Sequence, residues 1–212
     1  MTADLPVPEP EPGLEPEPAA ETETATGRDA VDVVVTRARD ARPRLGAVTV
    51  VCVDGPAGSG KSTLARRVGA ALGAAVLHVD DLLEGWDGLE GVWDRLAAQV
   101  LEPLAAGRPG RYRRYDWTAG AFAEWHDVPV PDVLVLDGCG SARTAADAVA
   151  AVKVWVEAPR DLRLARGLER DGDAARAHWL AWMVAESEHF ARERTRERAD
   201  VHVDAVGRLV EP

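Results

Sequence analysis

The chain has 212 residues, the size of one ordinary domain and too short for two full-sized ones. Apolar residues make up 46% and charged residues 29%, no stretch approaches the ~18 apolar residues of a membrane span, and no basic-then-apolar leader opens the sequence. Two cysteines, Cys52 and Cys139, exclude a disulfide framework and a structural zinc site, and a net charge of -11 argues against a nucleic-acid-binding surface, so a protein of the reducing cytoplasm is expected.

Residues 1–28 hold six Pro and six Glu, carry a net charge of -6 and contain almost nothing large and apolar. Such a segment cannot offset its ordering entropy, so a disordered acidic tail is expected, leaving residues 29–212 as the folded domain. From Asp29 to about Arg42, Ala30, Val33, Val34 and Ala38 fall along one side of a helix, closed by Pro43 and Gly46. Ala47–Val53 is a continuous apolar run, as in a strand covered on both faces. Ser62–Leu72 reads as a helix ended by Gly73, and Ala74–Val79 as a second strand running into Asp80 and Asp81. Leu89–Ala105 reads as helical, Gly107–Val130 as irregular, and Asp132–Leu136 as a third strand. A short helix over Ala142–Ala150 and a strand over Val152–Val156 follow. Then come a helix from Pro159 to about Arg170, a helix over Asp173–Arg198 and a fifth strand over Asp200–Val203. Apolar strands alternating with helices predict an α/β fold, a three-layer sandwich around a parallel five-stranded sheet, whose ligands sit at the carboxyl ends of the strands.

Residues 55–63 read Gly-Pro-Ala-Gly-Ser-Gly-Lys-Ser-Thr between a buried strand and a helix. This is the phosphate-binding loop, in the context that supports it. Gly55, Ala57, Gly58, Ser59, Gly60, Ser62 and Thr63 supply backbone N–H groups that wrap phosphate oxygens at a helix N-terminus. Lys61 adds a cation for the outer phosphates, and the Ser62 hydroxyl a ligand for magnesium; ATP and Mg2+ are therefore the expected cofactors. Asp137, ending the third strand, fits the second magnesium-organising acid. A carboxylate after the second strand, Asp80 or Asp81, is placed to orient an acceptor hydroxyl and take its proton, or to share in magnesium binding. Arg163, Arg166 and Arg170 share one helix face, as in a lid that neutralises a transferring phosphoryl group. Residues 111–117 read Arg-Tyr-Arg-Arg-Tyr-Asp-Trp. Two readings of this stretch stay open. Tyr112, Tyr115 and Trp117 stack on a base while Asp116 accepts from sugar hydroxyls, or Arg111, Arg113 and Arg114 bind an acceptor phosphate.

From about Val48 to Val203 the chain resembles the uridine kinase-like branch of the P-loop kinases. The likeness rests on Gly55–Thr63, on Val79-Asp80-Asp81-Leu82, on Val135-Leu136-Asp137-Gly138, and on Arg163-Leu164-Ala165-Arg166 followed by Arg170-Asp171. Tyr115-Asp116-Trp117 is similar to that family's Tyr-Asp-aromatic stretch, which contributes to nucleoside binding. The resemblance implies a kinase with Asp80 as the hydroxyl base and a nucleoside such as uridine as acceptor. The chain departs from the family where Gly167 follows Arg166, where Gly120 stands near the position of a histidine, and where Leu82 and Leu83 replace an aromatic pair. The rival readings are a nucleoside monophosphate kinase and a nucleotide-binding regulatory ATPase. The expected partner is a small-molecule acceptor, with no nucleic acid and no membrane.

Overall fold

All six residues of Thr49–Asp54 are buried, as the unbroken Val-rich run requires of a strand covered on both faces. The structure, a computed structural model, describes residues 29–211; the acidic segment 1–28 lies outside the described residues. In chain order the elements are α1 (Ala30–Asp40), β1 (Thr49–Asp54), α2 (Lys61–Leu72) and β2 (Ala75–His78). Next come α3 (Val92–Leu96), a π-helical turn (Ala97–Leu101), α4 (Glu102–Ala105), β3 (Gly110–Asp116) and β4 (Ala121–Val128). The remainder is β5 (Val133–Asp137), β6 (Ala150–Val156), α5 (Arg160–Asp171), α6 (Arg176–Glu193) and β7 (Val201–Val203). Among the described residues no helix is long and apolar enough to cross a membrane.

Five strands form one parallel sheet in the order β2-β5-β1-β6-β7. Successive strand residues face opposite sides, so the sheet feeds two cores. Val50, Cys52, Leu134 and Leu136 pack toward Trp93, Leu96 and Leu104 of the α3–α4 segment. Val51, Val53, Val135 and Val154 pack toward Val34 of α1 and Leu64 and Val68 of α2. The register sets His78 beside Asp137 and Asp137 beside Val53, so three strands end level. The connection through α2 skips a place that β5 later fills, and β6 and β7 lie across β1. The carboxyl end of β1 is thus the switch point where such sheets bind ligands.

Three stretches differ from the sequence reading. The helix expected over Asp173–Arg198 spans Arg176–Glu193 and stops where Arg194 turns left-handed, at φ +49. Gly107–Val130 is not irregular: β3 and β4 form an antiparallel hairpin. The pairing slips between Arg113 and Tyr115, so Tyr112 and Tyr115, three residues apart, are both buried. That bulge breaks the alternation of two by which a strand is recognised. The expected helix over Ala142–Ala150 is a 3-10 turn over Thr144–Ala148, because Ala150 already belongs to β6.

Candidate active site

The loop after β1 is clamped from outside and open inside. Gly58 has φ +78, and a Cβ on it would lie 2.7 Å from the Arg163 carbonyl oxygen, so only glycine lets α5 press this close. The outward polar groups are taken: the Ala57 N–H donates to Glu186 Oε2 at 2.7 Å, and the Gly58 carbonyl accepts from Arg166 at 3.0 Å. Among the described residues the N–H groups of Gly58, Gly60, Lys61 and Ser62 have no protein acceptor. They surround the start of α2, a concave ring of donors at a helix N-terminus. Asp54 ties this loop to the one after β5, accepting from the N–H groups of Gly55 (2.7 Å), Gly140 (3.0 Å) and Ala142 (2.8 Å). Burial pushes the Asp54 carboxyl up to about 6, against the pull of those amides.

The ring opens into a cleft of about 1150 Å³. Lys61 is only 6% exposed, and its ammonium has no hydrogen-bond acceptor among the described residues. Burial works against its charge, yet its surroundings hold the ammonium above the ordinary lysine range. Burial also drives the neighbouring Cys139 thiol well up and keeps it neutral, so the carboxylates of Asp80, Asp137 and Glu186 are the effective partners. The Asp80 side chain faces the cleft without a protein hydrogen bond among the described residues. Its pKa is raised by the surrounding protein and by Asp137, with Lys61 and Arg170 pulling it back. Because Asp80 is open to solvent in the cleft, the burial contribution is partly screened there.

Asp137 is 2% exposed; its Oδ2 lies 2.7 Å from His78 Nδ1, while its buried Oδ1 has no partner among the described residues. The bond to Asp137 raises the pKa of His78 against partial burial. The Ser62 hydroxyl in the cleft wall and the ring of unpaired donors fit a nucleotide triphosphate with its magnesium, while Asp137 does not line the cleft and stands behind that wall with its Oδ1 buried. Among the described residues no three His, Cys, Asp or Glu side chains converge as a self-sufficient metal cage. A magnesium ion held there would need its remaining ligands from phosphate and water.

The three arginines of α5 divide. Arg163 points under the loop, bonding Glu186 Oε1 at 2.6 Å and the carbonyls of Ala57 (3.3 Å) and Ala158 (3.2 Å). Arg166 and Arg170 reach the cleft wall. Arg170 is bidentate on Asp171, at 2.7 and 2.9 Å, and lies over the Trp179 ring.

The hairpin residues divide too, and here the sequence reading needs correction. Tyr112 donates to Asp81 Oδ2 at 3.1 Å and stacks on His126, and Tyr115 packs between Trp117 and Phe122. Asp116 Oδ1 accepts from the N–H groups of Thr118 and Ala119, both at 2.9 Å, and so holds the hairpin turn. None of these three lines the cleft; Trp117 does. The arginines are also engaged elsewhere: Arg111 over Trp125, Arg113 on the carbonyls of Phe122 and Ala123, and Arg114 on Glu124.

Sequence reasoning missed the far wall of the cleft. Trp86 meets Trp117, Trp179 and Trp182 edge-on, with ring centroids 5.6, 6.0 and 6.1 Å away. Trp179, Trp182 and Glu186 are buried and spaced three and four apart, on one face of α6. That spacing in a chain with seven Trp and two Tyr was the available signal. On the other flank of the loop, Arg67 and residues 203–207 close the cleft.

No protein-family model and no curated protein sequence matches this chain. Solved structures do. A protein described as a possible uridine kinase from Bacillus stearothermophilus superposes with a TM-score of 0.62 at 20% identity, over 84% of this chain and 98% of that one. The chain has the fold of the P-loop kinases. A protein described provisionally as a fructose transport system kinase, from Silicibacter sp. TM1040, superposes with a TM-score of 0.59 at 19% identity, over 83% and 99%. D-glycerate 3-kinase from Cryptococcus neoformans gives 0.54 at 14% identity, over 86% and 95%.

Proposed function

We propose that this chain is an ATP-dependent small-molecule kinase, transferring the γ-phosphoryl group to a hydroxyl of an acceptor that carries no phosphate of its own. The observation that carries this reading is the pairing of the unpaired donor ring and Lys61 with a free carboxylate, Asp80, across the same cleft. The ring amides and Lys61 hold the donor phosphates and balance charge that builds on them during transfer. The Ser62 hydroxyl would hold a magnesium ion, with Asp137 organising it from behind the cleft wall, and the ion would supply charge neutralisation on the phosphate oxygens. Asp80 orients the acceptor hydroxyl, and its raised pKa suits it to take the proton. Arg166 and Arg170, on the helix that backs the loop, are the lid arginines of this reading.

A nucleoside such as uridine is our leading acceptor. It rests on the tryptophan wall at Trp117 and Trp86, in place of the hairpin tyrosines and Asp116. The occupation of Arg111, Arg113 and Arg114 elsewhere favours an unphosphorylated acceptor over a nucleoside monophosphate. Labelled ATP incubated with nucleosides, nucleoside monophosphates and sugars tests the assignment. Transfer to an unphosphorylated acceptor, abolished in a folded Lys61→Ala variant, is expected. Hydrolysis with no acceptor in the panel overturns it, and turnover only with monophosphates overturns the acceptor class.

A further inference from the structure

Glu186 is a carboxylate on the middle of α6, 1% exposed; it does not line the cleft and points toward the underside of the phosphate loop. Its Oε2 accepts from the Ala57 N–H at 2.7 Å and from the Trp182 indole N–H at 2.9 Å. Its Oε1 accepts from Arg163 at 2.6 Å. The same Arg163 nitrogen also donates to the Ala57 carbonyl, at 3.3 Å. Both polar atoms of one loop residue are therefore gripped by one buried ion pair. A negative charge this close to a phosphate site opposes an anion unless a cation balances it, and Arg163 is that cation.

We infer that Glu186 and Arg163 are a positioning pair. Glu186 fixes Ala57 so that the amides after it face the cleft, and Arg163 cancels the charge that Glu186 brings. Arg163 then acts through Glu186 and the loop, not by touching the transferring phosphoryl group. The inference rests on the kinase reading only in taking the loop as the nucleotide site. The two readings of Arg163 differ in sign for one variant. If Arg163 were a phosphate ligand, Glu186→Gln would release its guanidinium toward the nucleotide and hold or tighten affinity. If the pair positions the loop, the same isosteric change loosens Ala57 and weakens affinity. A misaligned donor ring costs on the order of tenfold or more.

The experiment is equilibrium binding of a fluorescent ATP analogue with magnesium to the full chain, together with the KM for ATP and for the acceptor. We expect Glu186→Gln to raise the ATP dissociation constant and the ATP KM about tenfold while the acceptor KM stays put. We expect Arg163→Met to be worse, because it leaves Glu186 buried and unpaired, and Glu186→Gln added to it to recover most of the loss. Unchanged or tighter ATP binding in Glu186→Gln overturns the inference, and so does a double variant as weak as Arg163→Met. Should a single variant not fold, the double variant decides alone: ATP binding within about tenfold of wild type supports the pair, and no binding refutes it. A wild-type chain that binds no ATP overturns the kinase reading and this one together, whereas wild-type binding with the wrong variant pattern overturns only this one.

Discussion

Replacing Gly167 with alanine adds one methyl group at the tightest contact between α5 and the acceptor wall. A Cβ there would lie 2.3 Å from Cε2 and Cζ2 of Trp179, against the ~3.5–4.0 Å at which carbon atoms rest. The indole is 1% exposed, held by its N–H to Asp171 at 2.9 Å and backed by Trp86, so it has no room to retreat without losing a contact. Alanine returns about 1 kcal/mol of helix propensity. Overpacking costs about 1–3 kcal/mol, and a strained or broken indole hydrogen bond about 1 kcal/mol more. The balance is a net loss of about 1–3 kcal/mol, or roughly 3–10 °C in melting temperature for a domain of this size. Thermal unfolding followed by tryptophan emission reads both the loss and the displaced ring. In a Trp179→Leu background the same alanine should cost little, because the clashing ring is gone. A Gly167→Ala chain that melts at or above the wild-type temperature with unchanged emission would refute the packing argument.

Asp80→Asn should cut turnover by orders of magnitude while ATP affinity holds within a few-fold, since the amide keeps the shape and cannot take the proton; loss of ATP binding would make Asp80 a magnesium organiser instead. Asp116→Ala should loosen the hairpin turn, through loss of its two turn hydrogen bonds, lower the melting temperature slightly and leave the acceptor KM unchanged; a raised KM would return Asp116 to the acceptor site. Asp54 titrates at about 6 in the fold, above the ~3.9 of an unfolded aspartate. Its proton therefore favours the fold fully below about pH 4, and that contribution, roughly 3 kcal/mol, is lost as pH rises through 6. Unfolding of wild type and Asp54→Asn at pH 4.5 and 7.5 should show wild type losing ground to the variant as pH rises, and a constant difference would contradict it.

The parallel sheet was legible because its inner strands are unbroken apolar runs, which few other environments tolerate. The phosphate loop was legible because its chemistry lies in nine consecutive residues. The hairpin was not, because the bulge after Arg113 throws Tyr112 and Tyr115 onto one side and mimics disorder in the pattern. The fates of Asp116 and Arg163 were not legible either. Each side chain's type fits phosphate or sugar chemistry, and only the positions of Thr118 and Glu186 decide what it bonds. The tryptophan wall joins residues 86 and 117 to the helix pair 179 and 182; the helix pair shows in its spacing, but contacts across that sequence separation leave no pattern that links it to Trp86 and Trp117.

The placement of the two lysines has a consequence for covalent chemistry. Lys153 is largely covered and ion-paired with Asp147, and Lys61 opens only into the cleft. Besides an α-amino group, the protein therefore offers amine-directed reagents almost nothing on its outer surface. An electrophile carried in on a nucleotide phosphate would meet one amine, at the bottom of the cleft. Acylation at Lys61, read by peptide mass and blocked by ATP, would report occupancy of the site without any knowledge of the acceptor.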